Sequence, residues 1–151
     1  MTLYNKTKFE ECPAMEFDGL FDWDWTEGCF GQKFIRPMDI DGMTERKGNF
    51  LIFETKSKGN PIPAGQYFTL DKLYRMGVFT IVFCDKVNPP TQLSVWTAPG
   101  LINDFGTRMK CPQSEDKKAF YPEYADISEA PQKAVNFIKK WYEFANNNPK
   151  E

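Results

Sequence analysis

The sequence predicts a single α/β domain in which a mixed central β-sheet of four to five strands is flanked by helices. Three observations lead there. A chain of 151 residues, 41% of them hydrophobic and fourteen of them Phe, can build one core and is short for two. Val78–Cys84 is a nearly continuous apolar run with β-branched residues, the pattern of a strand covered on both faces. Two later segments repeat apolar residues at helical spacing and can supply that cover.

In chain order, residues 1–32 mix acids with Phe, Trp and Gly. Thr7 to Met15 could hold a short helix that Pro13 limits. Phe21-Asp22-Trp23-Asp24-Trp25 alternates as a half-buried strand would, but Gly19 and Gly28 suit a structured loop equally well. Residues 34–46 and 50–56 read as strands, joined through Lys47-Gly48-Asn49, where glycine takes positive φ at no steric cost. Ser57 to Gly65 holds two prolines and two glycines and reads as loop. Gln66 to Met76 is the central helix, with Gln66, Leu70, Leu73, Tyr74 and Gly77 on one face. After Val78–Cys84 and an Asn88-Pro89-Pro90 turn comes a strand over Leu93–Ala98, and 99–130 is loop-rich. A terminal helix over Ala130–Asn146 groups Ala134, Phe137, Ile138, Trp141 and Ala145, with Ser128 and Pro131 as start signals and Asn146-Asn147-Asn148-Pro149 as the stop.

Composition narrows the chemistry. The chain has no histidine, which excludes Ser-His-Asp and Cys-His catalysis, histidine-zinc sites and imidazole general bases. Its four cysteines, Cys12, Cys29, Cys84 and Cys111, are widely spaced without a Cys-x-x-Cys pair and read as reduced thiols of a cytoplasmic protein. No apolar run approaches the roughly 18–20 residues of a membrane span, and no basic-then-apolar opening suggests a signal peptide. Residues 1–32 carry seven acids against Lys6 and Lys8, or −5, while the rest of the chain is +3. A mildly basic body is compatible with a nucleic-acid substrate without arguing for one.

The chemistry-bearing stretch is Arg36-Pro37-Met38-Asp39-Ile40-Asp41-Gly42 followed by Phe50-Leu51-Ile52-Phe53-Glu54-Thr55-Lys56. Side chains alternate across a strand and opposed residues share a face. A Lys47-Gly48 turn sets Asp41 opposite Glu54 and Asp39 opposite Lys56. A Gly48-Asn49 turn sets Asp41 opposite Lys56. Either even-length turn puts Asp41, Glu54 and Lys56 on one face, and an odd one breaks the set. Mg²⁺ prefers oxygen ligands and usually takes one or two protein carboxylates. Asp41 and Glu54 fit that role, with the Thr55 carbonyl as a further donor. Bound metal lowers the pKa of water, which supplies a nucleophile without histidine. Lys56 could orient that water or stabilise developing negative charge.

Pro37-x-Asp39-x-Asp41 and Glu54-Thr55-Lys56, extended from Arg36 to Gly65-Gln66, resemble the PD-(D/E)XK nuclease superfamily, and within it a group of small phage and prophage nuclease-like proteins. The likeness covers residues 34–84. It implies a restriction-endonuclease-like fold, Mg²⁺ or Mn²⁺ as cofactor, DNA as substrate and action in the host cytoplasm. It also implies metal ligands at Asp41 and Glu54, a catalytic role for Lys56, and a site-facing Gln66 on the following helix. In that superfamily an acid on an N-terminal helix often completes the site, here Glu10, Glu11 or Glu16, with Glu11 favoured; Asp39 is an auxiliary. Members that cut two strands often dimerise, so the resemblance admits a homodimer.

Arg36 and Lys58, with Lys33, Lys72 and Arg75, could contact a DNA backbone, although dispersed bases are usually solvated faces. Phe21, Trp23, Trp25 and Phe30 could stack on bases, but their interleaved acids favour packing or a protein-facing patch. That patch carries the alternative expectation, a nuclease-fold binding protein that blocks or recruits a host or phage protein.

Overall fold

Residues 24–31, 37–86, 89–102, 105 and 119–150 are described by the computed structural model. The chain divides into two units, Met1–Asp39 and Ile40–Glu151. In the first, Asp24–Thr26 forms a short 3₁₀ turn with Thr26 buried and Trp25 75% exposed, and Pro37–Asp39 is irregular. The expected helix over Thr7–Met15, Phe21 to Trp23 of the alternating stretch, Glu10, Glu11, Glu16, Lys33 and Arg36 lie outside the described residues, as do Cys12 and Cys111.

The second unit is mixed α/β. Its strands are β1 (Gly42–Arg46), β2 (Asn49–Thr55), β3 (Ile62–Pro63), β4 (Phe79–Cys84), β5 (Gln92–Trp96), β6 (Ala119–Phe120) and β7 (Ala125–Asp126). Its helices are α1 (Ala64–Arg75) and α2 (Gln132–Asn147). An open five-stranded sheet runs β1-β2-β4-β5-β7, and β3 pairs with β6 separately. Among the described residues, β2 and β4 are the only parallel neighbours in the large sheet, joined by the α1 crossover that parallel neighbours require.

The β1–β2 turn is Lys47-Gly48, since Arg46 pairs with Asn49. Both turn residues have positive φ (49° and 75°), the two-residue conformation whose twist matches a hairpin. Leu51, Val82, Leu93 and Val95 pack with Ala134, Phe137, Trp141 and Ala145 of α2. On the opposite face, Tyr67 and Tyr74 of α1 meet Trp96 edge-on, and Trp96 meets Phe83.

Several expectations are corrected. The first strand starts at Gly42: residues 37–40 are irregular and the chain bends at Asp41, while residues 34–36 of the expected strand lie outside the described residues. Ser57–Gly65 is not wholly loop: Ile62–Pro63 forms β3, and α1 already begins at Ala64. The loop-rich 99–130 contains β6 and β7. Ile138 is 39% exposed and lies off the packed stripe of α2. Ser128 does not cap α2; its hydroxyl donates to Asp126 Oδ1 (2.6 Å), and Pro131 occupies the cap position. No helix among the described residues is long and apolar enough to cross a membrane.

Candidate functional site

Glu54 sits at the carboxyl end of β2 on the face that α1 covers. Alternation sends Ile52 and Glu54 to that side, and their β4 neighbours Ile81 and Phe83 lie beside them. The residue is only 3% exposed. α1 begins beside this strand end, which brings Gln66, near its start, over the carboxylate. Gln66 Nε2 donates to Glu54 Oε1 at 2.5 Å, and Lys56 Nζ stands 3.4 Å from the same oxygen. Glu54 Oε2 is buried with no hydrogen-bond partner among the described residues, as is Gln66 Oε1.

Asp41 completes the group by a route the strand pattern does not show. In a continued β1–β2 ladder, the Thr55 amide would meet the Ile40 carbonyl. The chain has left the sheet by then, and the Asp41 carboxylate takes its place: Thr55 N–H donates to Asp41 Oδ2 at 2.7 Å. The expectation of a regular cross-strand Asp41–Glu54 pair is therefore corrected. Asp41 lies at the sheet edge, an exposed residue just before the ladder. Its charge still reaches Glu54. Burial pushes the Glu54 carboxyl above the ordinary glutamate range and the Asp41 charge adds to the push, while Lys56 and Gln66 pull it partly back.

The structure thus brings together Asp41, Glu54, Lys56 and Gln66, with Thr55 between the second and third. Asp39 belongs to the first unit. Glu11 and Arg36 lie outside the described residues. Lys58 is exposed, and its charge helps hold the Asp126 carboxyl below the usual range, after the Ser128 hydrogen bonds. No group of three or more His, Cys, Asp or Glu placed to hold a metal occurs among the described residues. The donors at this corner are Asp41, Glu54 and the Thr55 carbonyl. They fit a hard divalent cation: both side chains are oxygen donors, and the buried Glu54 Oε2 has no hydrogen-bond donor among the described residues, while Lys56 stands at the other oxygen.

Two neighbours were not expected from the sequence. The Cys84 thiol approaches the Glu54 carbonyl (3.9 Å), and the Tyr124 hydroxyl donates to the Lys56 carbonyl at 2.5 Å. Tyr124 lies in the aperiodic stretch before β7, and its only local signal is an aromatic residue among loop formers. On the α2 side of the sheet, Asp41 also borders a cavity of about 500 Å³ lined by Phe53, Val82, Leu93 and Phe137. Compared with protein-family models, curated proteins and solved structures, the chain gives no match.

Proposed function

We propose that this chain is a Mg²⁺- or Mn²⁺-dependent nuclease of restriction-endonuclease-like fold that hydrolyses DNA phosphodiester bonds. The observation that carries the reading is the state of Glu54. A buried carboxylate at a strand end, one oxygen shared by an ammonium and an amide, the other without a donor among the described residues, and the whole group in the field of Asp41, is costly for stability alone. Such cost is characteristic of a site built for chemistry.

Asp41, Glu54 and the Thr55 carbonyl would hold the cation. When bound, it polarises the phosphoryl oxygen and lowers the pKa of a water molecule. The chain's own residues do the rest. Gln66 holds Glu54 Oε1 and fixes the carboxylate plane. Lys56, with its side chain 23% exposed, faces both the carboxylate and solvent. It can orient the attacking water and neutralise charge that builds on the phosphate. Exposed Lys58 offers a backbone-phosphate contact two residues further on. The absence of histidine from the sequence makes a carboxylate–lysine site the economical route to hydrolysis. The reading puts the protein in the cytoplasm, with DNA as its partner.

The test is purified protein incubated with labelled single-stranded, duplex or branched DNA in Mg²⁺, Mn²⁺ or EDTA. Cleavage is expected with the metals and not with EDTA, and Glu54→Gln and Asp41→Asn abolish it while the variants stay folded. Activity that survives unchanged in Glu54→Gln would sink the assignment.

A further inference from the structure

We infer that Tyr124 is a positioning residue: its hydroxyl fixes the backbone of Lys56 and so aims the lysine at Glu54. The argument begins with the direction of peptide groups at the end of β2. Within a strand, the N–H and C=O of one residue point toward the same neighbour. Lys56 N–H reaches Cys84 O on β4 at 2.9 Å, so its carbonyl also points toward β4. β4, however, ends at Cys84. The next amide on that side, from Lys86, follows Asp85, where the chain has left the strand. The Asp85 carboxylate gathers the Thr91 and Gln92 amides, and the Lys86 amide lies close enough to add to the lowering of the Asp85 pKa. The Lys56 carbonyl needs another donor, and the Tyr124 hydroxyl supplies it at 2.5 Å.

The donor is held at both ends. Residues 119–126 form a strap that pairs with β3 through Ala119–Phe120 and with β5 through Ala125–Asp126. Phe120 is buried and stacks on Tyr67 of α1 with ring centroids 3.7 Å apart. Pro122 restricts the strap between these anchors. Burial above all, with the nearby Asp85 and Glu54 carboxylates, pushes the Tyr124 phenol upward, so it stays protonated and a donor throughout the working range. With its N–H tied to β4 and its C=O tied to the strap, Lys56 has little backbone freedom left. Its side chain therefore leaves on the Glu54 face in a fixed direction, which sets the 3.4 Å approach of Nζ to Oε1.

The kinetic arm of the test rests on the nuclease reading, and the exchange arm does not. Tyr124→Phe keeps the ring and removes the hydroxyl. Amide hydrogen exchange at Lys56 and Ser57, measured without metal or DNA, should accelerate about tenfold, and exchange in the centre of β4 should not change. Cleavage by the variant should lose about tenfold in kcat with KM and Mn²⁺ affinity unchanged. In a double-mutant cycle with Lys56→Ala, Tyr124→Phe should cost nothing further. Tyr121→Phe, an exposed hydroxyl in the same strap, is the control and should match the parent. Pro122→Ala loosens the strap with the hydroxyl in place and should lower kcat in the same direction, which keeps the idea testable if Tyr124→Phe fails to fold. Unchanged exchange at Lys56, losses additive with Lys56→Ala, or a loss through KM would each overturn the inference. A parent protein that cuts no DNA defeats the nuclease reading instead, and the exchange result still decides the role of Tyr124.

Discussion

Replacing Glu54 by Gln should make the metal-free protein more stable while removing its proposed activity. The shape is kept and only the charge is lost. Gln66 Nε2 can still donate to the remaining carbonyl oxygen. The oxygen that now lacks a donor becomes an N–H in the negative field of Asp41. Against this stands the lost Lys56 pair; its lysine is partly exposed and can turn to solvent, so that loss is about 0–1 kcal/mol. Desolvation of a buried carboxylate costs several kcal/mol even after relaxation, and its removal outweighs the lost pair. A net gain of roughly 1–2 kcal/mol follows, or a Tm rise on the order of 3–6 °C for a chain of this size. Metal should reverse the order. At a concentration 100-fold above its Kd, a cation bound only by the folded parent adds about 2.7 kcal/mol, and Glu54→Gln should gain almost none. Thermal melts of both proteins in EDTA and in Mn²⁺ read all four states. A destabilised Glu54→Gln in EDTA, or equal Mn²⁺ shifts for both proteins, refutes the reasoning.

Three further outcomes are expected. Because the folded pKa of Glu54 is raised, its contribution to stability is fully present below the unfolded glutamate value and is lost as pH rises through the folded one. The stability advantage of Glu54→Gln in urea melts should therefore widen from acid to neutral pH, and a narrowing gap contradicts the shift. Lys56→Ala should lower kcat about 100- to 1000-fold, the range for loss of a charge-stabilising donor, while calorimetry shows Mn²⁺ binding intact. Gly48→Ala meets both a φ of +75° and a Cβ position 2.5 Å from the Lys150 carbonyl oxygen. It should cost about 1–2 kcal/mol in urea unfolding and release the Lys150 amide, which donates to Lys47 O at 2.8 Å, to exchange.

The exchange at Gly48 also shows why much of this site was legible in the sequence. An even two-residue turn is a local event, decided by which residues tolerate positive φ. Period-two alternation places Glu54 and Lys56 on one face whatever the turn, and the even Lys47-Gly48 turn sets which β1 residues lie opposite them, without reference to the rest of the chain. The helical spacing that groups Gln66, Leu70 and Tyr74 is equally local, and so is the apolar run of β4. Two-residue strands escape such reading because two residues have no period. β3, β6 and β7 exist only through partners supplied by distant segments.

The sequence by itself determined the alternating strands, an even hairpin turn, both helices and the placing of Glu54 and Lys56 on one face of a strand, because each follows from backbone geometry over a few residues; that Gln66 meets Glu54 depends on how α1 packs. Only the tertiary structure decided the strand order, the parallel β2–β4 pairing and the depth of Glu54, which depend on what packs against each face. It also decided that Asp41 stands in for a strand carbonyl and that Tyr124 closes on Lys56 across 68 positions of chain. Backbone groups that a ladder leaves unpaired must find partners, and which side chain reaches them depends on contacts distant in sequence.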